Sequence, residues 1–285
     1  MPGISILDGA MGSELIRRGE TLPIHIWSAQ TNLTNPELVY DVHRDNILSG
    51  CQIITANTFR ATPRSFAKTG LSLNDAQIQA KKSLLSAVSS AQRAAKNSIM
   101  VLGSIAPLED CYMPDRFPGK NSGTSEYLQL GTWLKEAGVN GIILETMNNI
   151  AEAEIALSVI CSLDIPVFIS FYLTNYNHLA SGEHFSNAIY MTRSYPVEAL
   201  LLNCSPINII LNAVDNLVNM WQGKWGIYPN LGLGSPSPDG KINNLFSDKD
   251  FIYLMEKSIS IGAEIIGACC GSTPRHISLL KREFF

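Results

Sequence analysis

Short runs of consecutive apolar residues alternate along the chain with longer stretches whose apolar residues recur every three or four positions. The first pattern is that of a strand buried on both faces, and the second that of an amphipathic helix. The spacing predicts strands over residues 4–7, 52–56, 99–102, 141–144, 165–170, 199–204, 225–228 and 264–266. Between and after them it predicts helices over residues 35–50, 74–96, 124–137, 150–159, 186–193, 206–221, 247–261 and 274–285. Several boundaries carry their own punctuation. Asn35-Pro36 and Thr273-Pro274 read as an N-cap followed by the first helical residue, and Gly50 as a helix stop.

Strand and helix in strict alternation require a parallel sheet. Eight such pairs with no linker or charge run between them predict a single domain over residues 1–285, closed as a (β/α)8 barrel. An open doubly wound sheet is the competing form. It would normally carry a Gly-x-Gly-x-x-Gly turn after a strand, and the sequence has none. Polar residues fall at the C-terminal ends of the predicted strands: Asp8, Asn57, Ser104, Glu145, Cys204, Asn230 and Cys269. In a barrel those ends share one rim, where barrel enzymes place their chemistry. The glycine-bearing run 232–240 lacks a lysine and reads as an irregular lid, not a phosphate loop.

Composition narrows the possibilities. The 285 residues are 46% hydrophobic and 16% charged, enough to bury one large core. A net charge of −4 argues against nucleic acid or an anionic membrane surface as partner. No apolar run reaches the roughly 18–20 residues of a membrane span, and residues 1–4 lack the marks of a signal peptide. The six cysteines are therefore expected as reduced thiols in a cytoplasm.

Three of those thiols stand at strand ends. Cys204 follows an apolar run and precedes a helix, and Cys269-Cys270 repeat that setting. Such a set can hold a zinc ion by three thiolates with the fourth position open. Soft sulfur ligands select zinc over magnesium or calcium. The alternative is that Cys269 and Cys270 are buried thiols on a tight strand end, as is expected of Cys51, Cys111 and Cys161. A trithiolate site is a poor Lewis acid for water but suits an incoming thiol, which it holds as thiolate for alkyl transfer to sulfur. Glu145 can receive a substrate ammonium group, or it can cap the next helix or pair with an arginine. Asp8-Gly9-Ala10-Met11-Gly12 can position a substrate with its side chain and backbone N–H groups, or be an ordinary Asp-Gly turn. Tyr228-Pro229-Asn230 can shape a pocket or simply turn the chain. A Schiff-base lyase on the same barrel would need a lysine at a strand end, and no predicted end carries one. A non-catalytic zinc-binding barrel is the remaining alternative.

Several segments resemble the homocysteine S-methyltransferase family. Asp8-Gly9-Ala10-Met11-Gly12-Ser13-Glu14-Leu15 is similar to its opening motif. Ala56-Asn57-Thr58-Phe59, Glu145-Thr146-Met147, Asn203-Cys204-Ser205, Tyr228-Pro229-Asn230 and residues 267–277 follow in the family's order. The resemblance implies a barrel in which Cys204, Cys269 and Cys270 bind zinc and homocysteine sulfur takes the open position. It further implies that Glu145 and the Asp8 loop hold the amino-acid end of homocysteine. Substrate contacts are accordingly expected from Asp8, Gly9, Ala10, Met11, Asn57, Glu145 and Asn203, with no catalytic residue beyond the metal site. Methyl donors in the family include S-methylmethionine, S-adenosylmethionine, betaine and methyl-folate, and the first two are favoured because no cobalamin or folate domain is attached. Ala268 departs from the family by replacing a usual second glycine. The loops at 103–107 and after Asn230 also differ from those of many S-methylmethionine users.

Overall fold

The computed structural model describes residues 3–233, 240–242 and 244–285, so most of the run expected as a lid, 232–240, lies outside the described residues. Eight parallel strands form one sheet: β1 (Ser5–Ile6), β2 (Ile53–Ala56), β3 (Met100–Ile105), β4 (Gly141–Met147), β5 (Val167–Phe171), β6 (Ala199–Pro206), β7 (Trp225–Asn230) and β8 (Ile265–Ile266). From β2 to β8 each strand pairs with its sequential neighbour, and β8 returns to pair with β1 through Ser5↔Ile265 and Ile6↔Ile266. The remaining seam, between β1 and β2, is spanned by the parallel bridge Leu7↔Ile53. Bonds from Gln52 N to Ile6 O (2.8 Å) and from Asp8 N to Ile53 O (3.0 Å) hold that seam. The sheet is thereby rolled into the expected barrel with helices outside.

Two apolar layers explain why the strands read as unbroken hydrophobic runs. Side chains from Leu7, Ile53, Leu102, Ile143, Phe168, Leu201, Tyr228 and Ile265 fill the barrel interior. Alternate residues of the same strands face outward against the helices, as with Ile54, Val101, Ile142, Ile169, Leu200 and Ile227. Tight closure needs small residues at some crossings. A Cβ on Gly226 of β7 would lie 2.2 Å from the backbone oxygen of Ile265 on β8.

The helices start where the sequence provides caps. Asn35 accepts from Leu38 N ahead of Pro36–Leu48, Ser72 accepts from Asp75 N ahead of Leu73–Ala95, and Ser247 and Asp250 form a reciprocal capping box ahead of Asp248–Ser260. No helix among the described residues is long and apolar enough to cross a membrane.

Several short elements exceed the periodicity reading. Met11–Arg17 is a short helix starting inside the Asp8–Gly12 turn, and Thr31–Thr34 and Pro63–Ala67 are single turns or little more. Leu173–Asn175 and His178–Leu179 form an antiparallel hairpin above β5. All are too short to show a hydrophobic period of their own. The strands β4 and β6 also run past their predicted ends, because each continues through a register shift instead of stopping.

The Gly226 contact is with backbone and cannot be relieved by a rotamer change. Gly226→Ala is expected to destabilise the fold by roughly 1–3 kcal/mol, read as a lower urea midpoint with an unchanged slope.

Candidate metal centre and substrate rim

The three candidate thiols meet. Cys204 Sγ lies 3.5 Å from Cys270 Sγ, and Cys270 Sγ lies 3.9 Å from Cys269 Sγ. All three sulfurs are within 4.8 Å of one another. Tetrahedral zinc with Zn–S bonds of about 2.3 Å places its sulfurs about 3.8 Å apart, so the spacing fits a three-thiolate ion site. Hydrogen bonds from Cys204 and then Cys269 hold Cys270 well below the usual thiol range, while Cys269 is raised by its sulfur neighbours, Cys204 first.

Backbone irregularity aims these sulfurs. Cys204 has φ +55°, in the left-handed region, where the β6–β7 register shifts between Asn203 and Pro206. Thr146 has φ +59° at the matching shift of β4 against β5, between Leu144 and Met147. A non-glycine residue pays strain there and persists only where surrounding bonds fix it. Asn203 supplies them. Its Oδ1 accepts from Thr146 N (3.1 Å) and Ser170 Oγ (2.6 Å), and its Nδ2 donates to Thr146 Oγ1 (2.9 Å). On the other side, Cys269 N donates to Pro229 O (2.8 Å) and Leu231 N to Cys270 O (2.9 Å), tying the cysteine pair to the end of β7.

Two carboxylates lie on the same rim, Glu145 within reach of the charge on Cys270 and Asp8 within reach of that on Glu145. Asp8 is buried and accepts from Thr55 N at 2.9 Å and Thr55 Oγ1 at 3.2 Å. Burial, reinforced by the charge of Glu145, still raises its pKa well above the ordinary carboxylate range. Glu145 reaches solvent in part but sets its carboxyl group at depth, where Ser104 Oγ donates to it. Burial raises its pKa as well, and the charge on Cys270 adds to the effect.

The remaining expected contacts divide. Gly9 N donates to Asn46 Oδ1 (3.2 Å) and Ala10 N to Ser272 Oγ (2.9 Å), so these two N–H groups already have protein partners. Met11 opens the short helix behind the loop without a side-chain cap. Asn57 is buried in a network away from the sulfurs, accepting from Ser28 Oγ (2.6 Å) and donating to Ser28 O (2.9 Å) and Asn32 Oδ1 (2.8 Å). Asn203 is only 1% exposed and faces the two strand bulges.

Other residues join the site that periodicity did not single out. Ser170 and Thr55 lie on strands and gain a role only through their partners. Tyr112, on the loop after β3, is 51% exposed. Its ring meets Tyr172 edge-on, with centroids 5.4 Å apart and planes at 88°. The phenol lies close enough to the three cysteines that charge on Cys204 raises its pKa. Cys111 precedes it, buried and near Cys270, with its thiol pushed up to about 12 by burial. A loop tyrosine carries no sequence signal beyond falling between strand and helix on the functional side.

Comparison with known proteins is consistent in direction. A family model described as homocysteine S-methyltransferase matches residues 5–284. A homocysteine S-methyltransferase from Escherichia coli (strain K12) is 29% identical over 298 residues, covering 98% of this chain and 94% of its own. Homocysteine S-methyltransferase 1 from Arabidopsis thaliana is 27% identical, covering 99% of this chain and 93% of its own. Among solved structures, the metallated form of the homocysteine methyltransferase MmuM from Escherichia coli superposes with a TM-score of 0.85 at 27% identity, covering 98% and 96% of the two chains.

The raised carboxyl at Glu145 has a consequence for stability. Well below its ordinary value of 4.5, folded and unfolded chains both carry it protonated and it contributes nothing. Above that value the unfolded chain ionises freely while the folded one resists, so the folded state loses stability as pH rises. Glu145→Gln is therefore expected to raise the melting midpoint of the metal-stripped protein at pH 8, by about 2–4 °C per kcal/mol relieved. The gain should vanish as the pH falls through 4.5, followed by circular dichroism.

Proposed function

The chain belongs to the homocysteine S-methyltransferase family, and on that premise we propose that it is a zinc-dependent enzyme that moves a methyl group from a small sulfonium donor to homocysteine, giving methionine. The observation that carries this reading is the convergence of three sulfurs, at the spacing of a tetrahedral ion, on the rim where the barrel also presents Asp8 and Glu145.

Cys204, Cys269 and Cys270 would hold the ion. Zinc, when bound there, lowers the pKa of an acceptor thiol, about 8.5 when free, so that the thiolate forms near neutral pH. The protein's own residues then orient the reactants. Glu145 and Asp8 are the groups for the acceptor's ammonium, which returns to both carboxyls the ionised form that burial opposes. The acceptor sulfur attacks the donor methyl carbon in line. A new S–C bond forms as the bond from that carbon to the donor sulfonium breaks, and the electron pair leaves with the donor sulfur as a neutral thioether. The acceptor's thiol proton leaves to solvent, so no side chain needs to act as general base. Alignment of the two sulfurs about the methyl is the main contribution required.

A cationic donor is favoured by the character of the open side. Tyr112 and Tyr172 offer aromatic surface next to the cysteines, and aromatic faces attract onium groups. The neighbouring carboxylates would repel a polyanionic folate.

Two measurements test this. Cys204→Ser should lose most of its bound zinc and at least about 100-fold in methionine formation, since the remaining pair cannot complete the three-thiolate set. Stoichiometric zinc with unchanged turnover would sink the assignment. In a panel of S-methylmethionine, S-adenosylmethionine and betaine with homocysteine, Tyr112→Leu should raise the KM for the preferred donor by roughly three- to thirtyfold and leave the KM for homocysteine within about twofold.

A further inference from the structure

Tyr228 belongs to the barrel's interior apolar layer, together with Leu7, Leu201 and Ile265, and Cys269 packs against that layer. The residue is 3% exposed, and its hydroxyl has no hydrogen-bond partner among the described residues. A buried hydroxyl left unpaired is costly, and such groups are uncommon in folded proteins. Two acceptors face it, Glu145 and Ser170, and neither meets it in hydrogen-bond geometry. Ser170 Oγ donates to Asn203 Oδ1 at 2.6 Å, which fixes that oxygen in place on β5. Among the described residues Glu145 accepts a side-chain hydrogen bond from Ser104 Oγ alone, and it lies on the rim with part of the residue open to solvent. The hydroxyl and the carboxylate therefore form an incomplete pair on the floor of the site.

We propose that Tyr228 is a positioning residue whose hydroxyl donates to the Glu145 carboxylate in the acceptor-bound enzyme, fixing that carboxylate opposite Ser104 for the acceptor's ammonium group. The inference rests on the acceptor reading given above. An ammonium group drawn to Glu145 holds it ionised, and an ionised carboxylate is a stronger acceptor than a neutral one. The free enzyme keeps the hydroxyl waiting; the bound enzyme supplies its partner.

Tyr228→Phe removes one oxygen and leaves the packed ring. A hydrogen bond to a charged group corresponds to roughly a tenfold or larger effect on binding. The variant should raise the KM for homocysteine about tenfold with kcat within about twofold. 4-Mercaptobutanoate, which keeps the thiol and carboxylate but lacks the ammonium group, should be used equally by variant and wild type. Bound metal and the sulfur-to-metal charge-transfer band of the cobalt-substituted protein should be unchanged, and the melting midpoint of the free protein should be equal or higher. Equal losses with both acceptors, an unchanged KM for homocysteine, or a clearly lower melting midpoint would overturn the proposal. A shifted charge-transfer band would also overturn it, by assigning the hydroxyl to Cys269. If the wild-type enzyme makes no methionine from homocysteine, the acceptor reading itself fails, an outcome separable from any of these.

Discussion

The site depends on two left-handed residues held in place by one amide. Cys204 and Thr146 both adopt positive φ at strand ends, and Asn203 joins them by bonding the backbone and hydroxyl of Thr146 while standing next to Cys204 in sequence. Without the bulge at Cys204 the strand would pass the rim in regular alternation, and its sulfur could not meet one that is 66 residues away in the chain. Without the bulge at Thr146, Glu145 would not be presented at the same mouth. Each side-chain oxygen and nitrogen of Asn203 is thus used to make an irregular backbone affordable at the two places where chemistry needs it.

Charge is the second organising feature. Asp8, Glu145 and the cysteines share one rim, and they act on each other: Glu145 raises Asp8, and Cys270 raises Glu145. A cluster of buried acids is unfavourable in isolation and becomes favourable when cations enter it. The proposed reaction would bring such cations in as a metal ion, the acceptor ammonium and an onium donor. The hydroxyls of Thr55 and Ser104, with Tyr228 held in reserve, set where that charge sits.

Much of the framework was legible before any coordinates. All eight strands and eight main helices follow from apolar runs and periodic faces, because parallel strands buried on both sides leave that signature. The convergence of Cys204 with Cys269 and Cys270 was also legible, since strand ends in a barrel share a rim. What was hidden belongs to geometry with no period. The two bulges depend on register between strands, the hairpin at 173–179 is too short to announce itself, and the Tyr112 loop is placed by contacts with Tyr172. Asn57 and Asn203 illustrate the limit. Position on the rim was readable, whereas the direction of the amide, toward a ligand or back into the protein, is decided by neighbours such as Ser28 and Ser170.

The way the ring is completed also bears on how the chain is made. β1 and β8 contribute two paired residues each, and they pair with one another. Until Ile266 has emerged from the ribosome, β1 has no partner on that flank and β7 stands as an open edge, a surface that invites pairing with other chains. Closure of the ring therefore waits for β8, and the contacts that complete it are of very long sequence separation, which slows their formation.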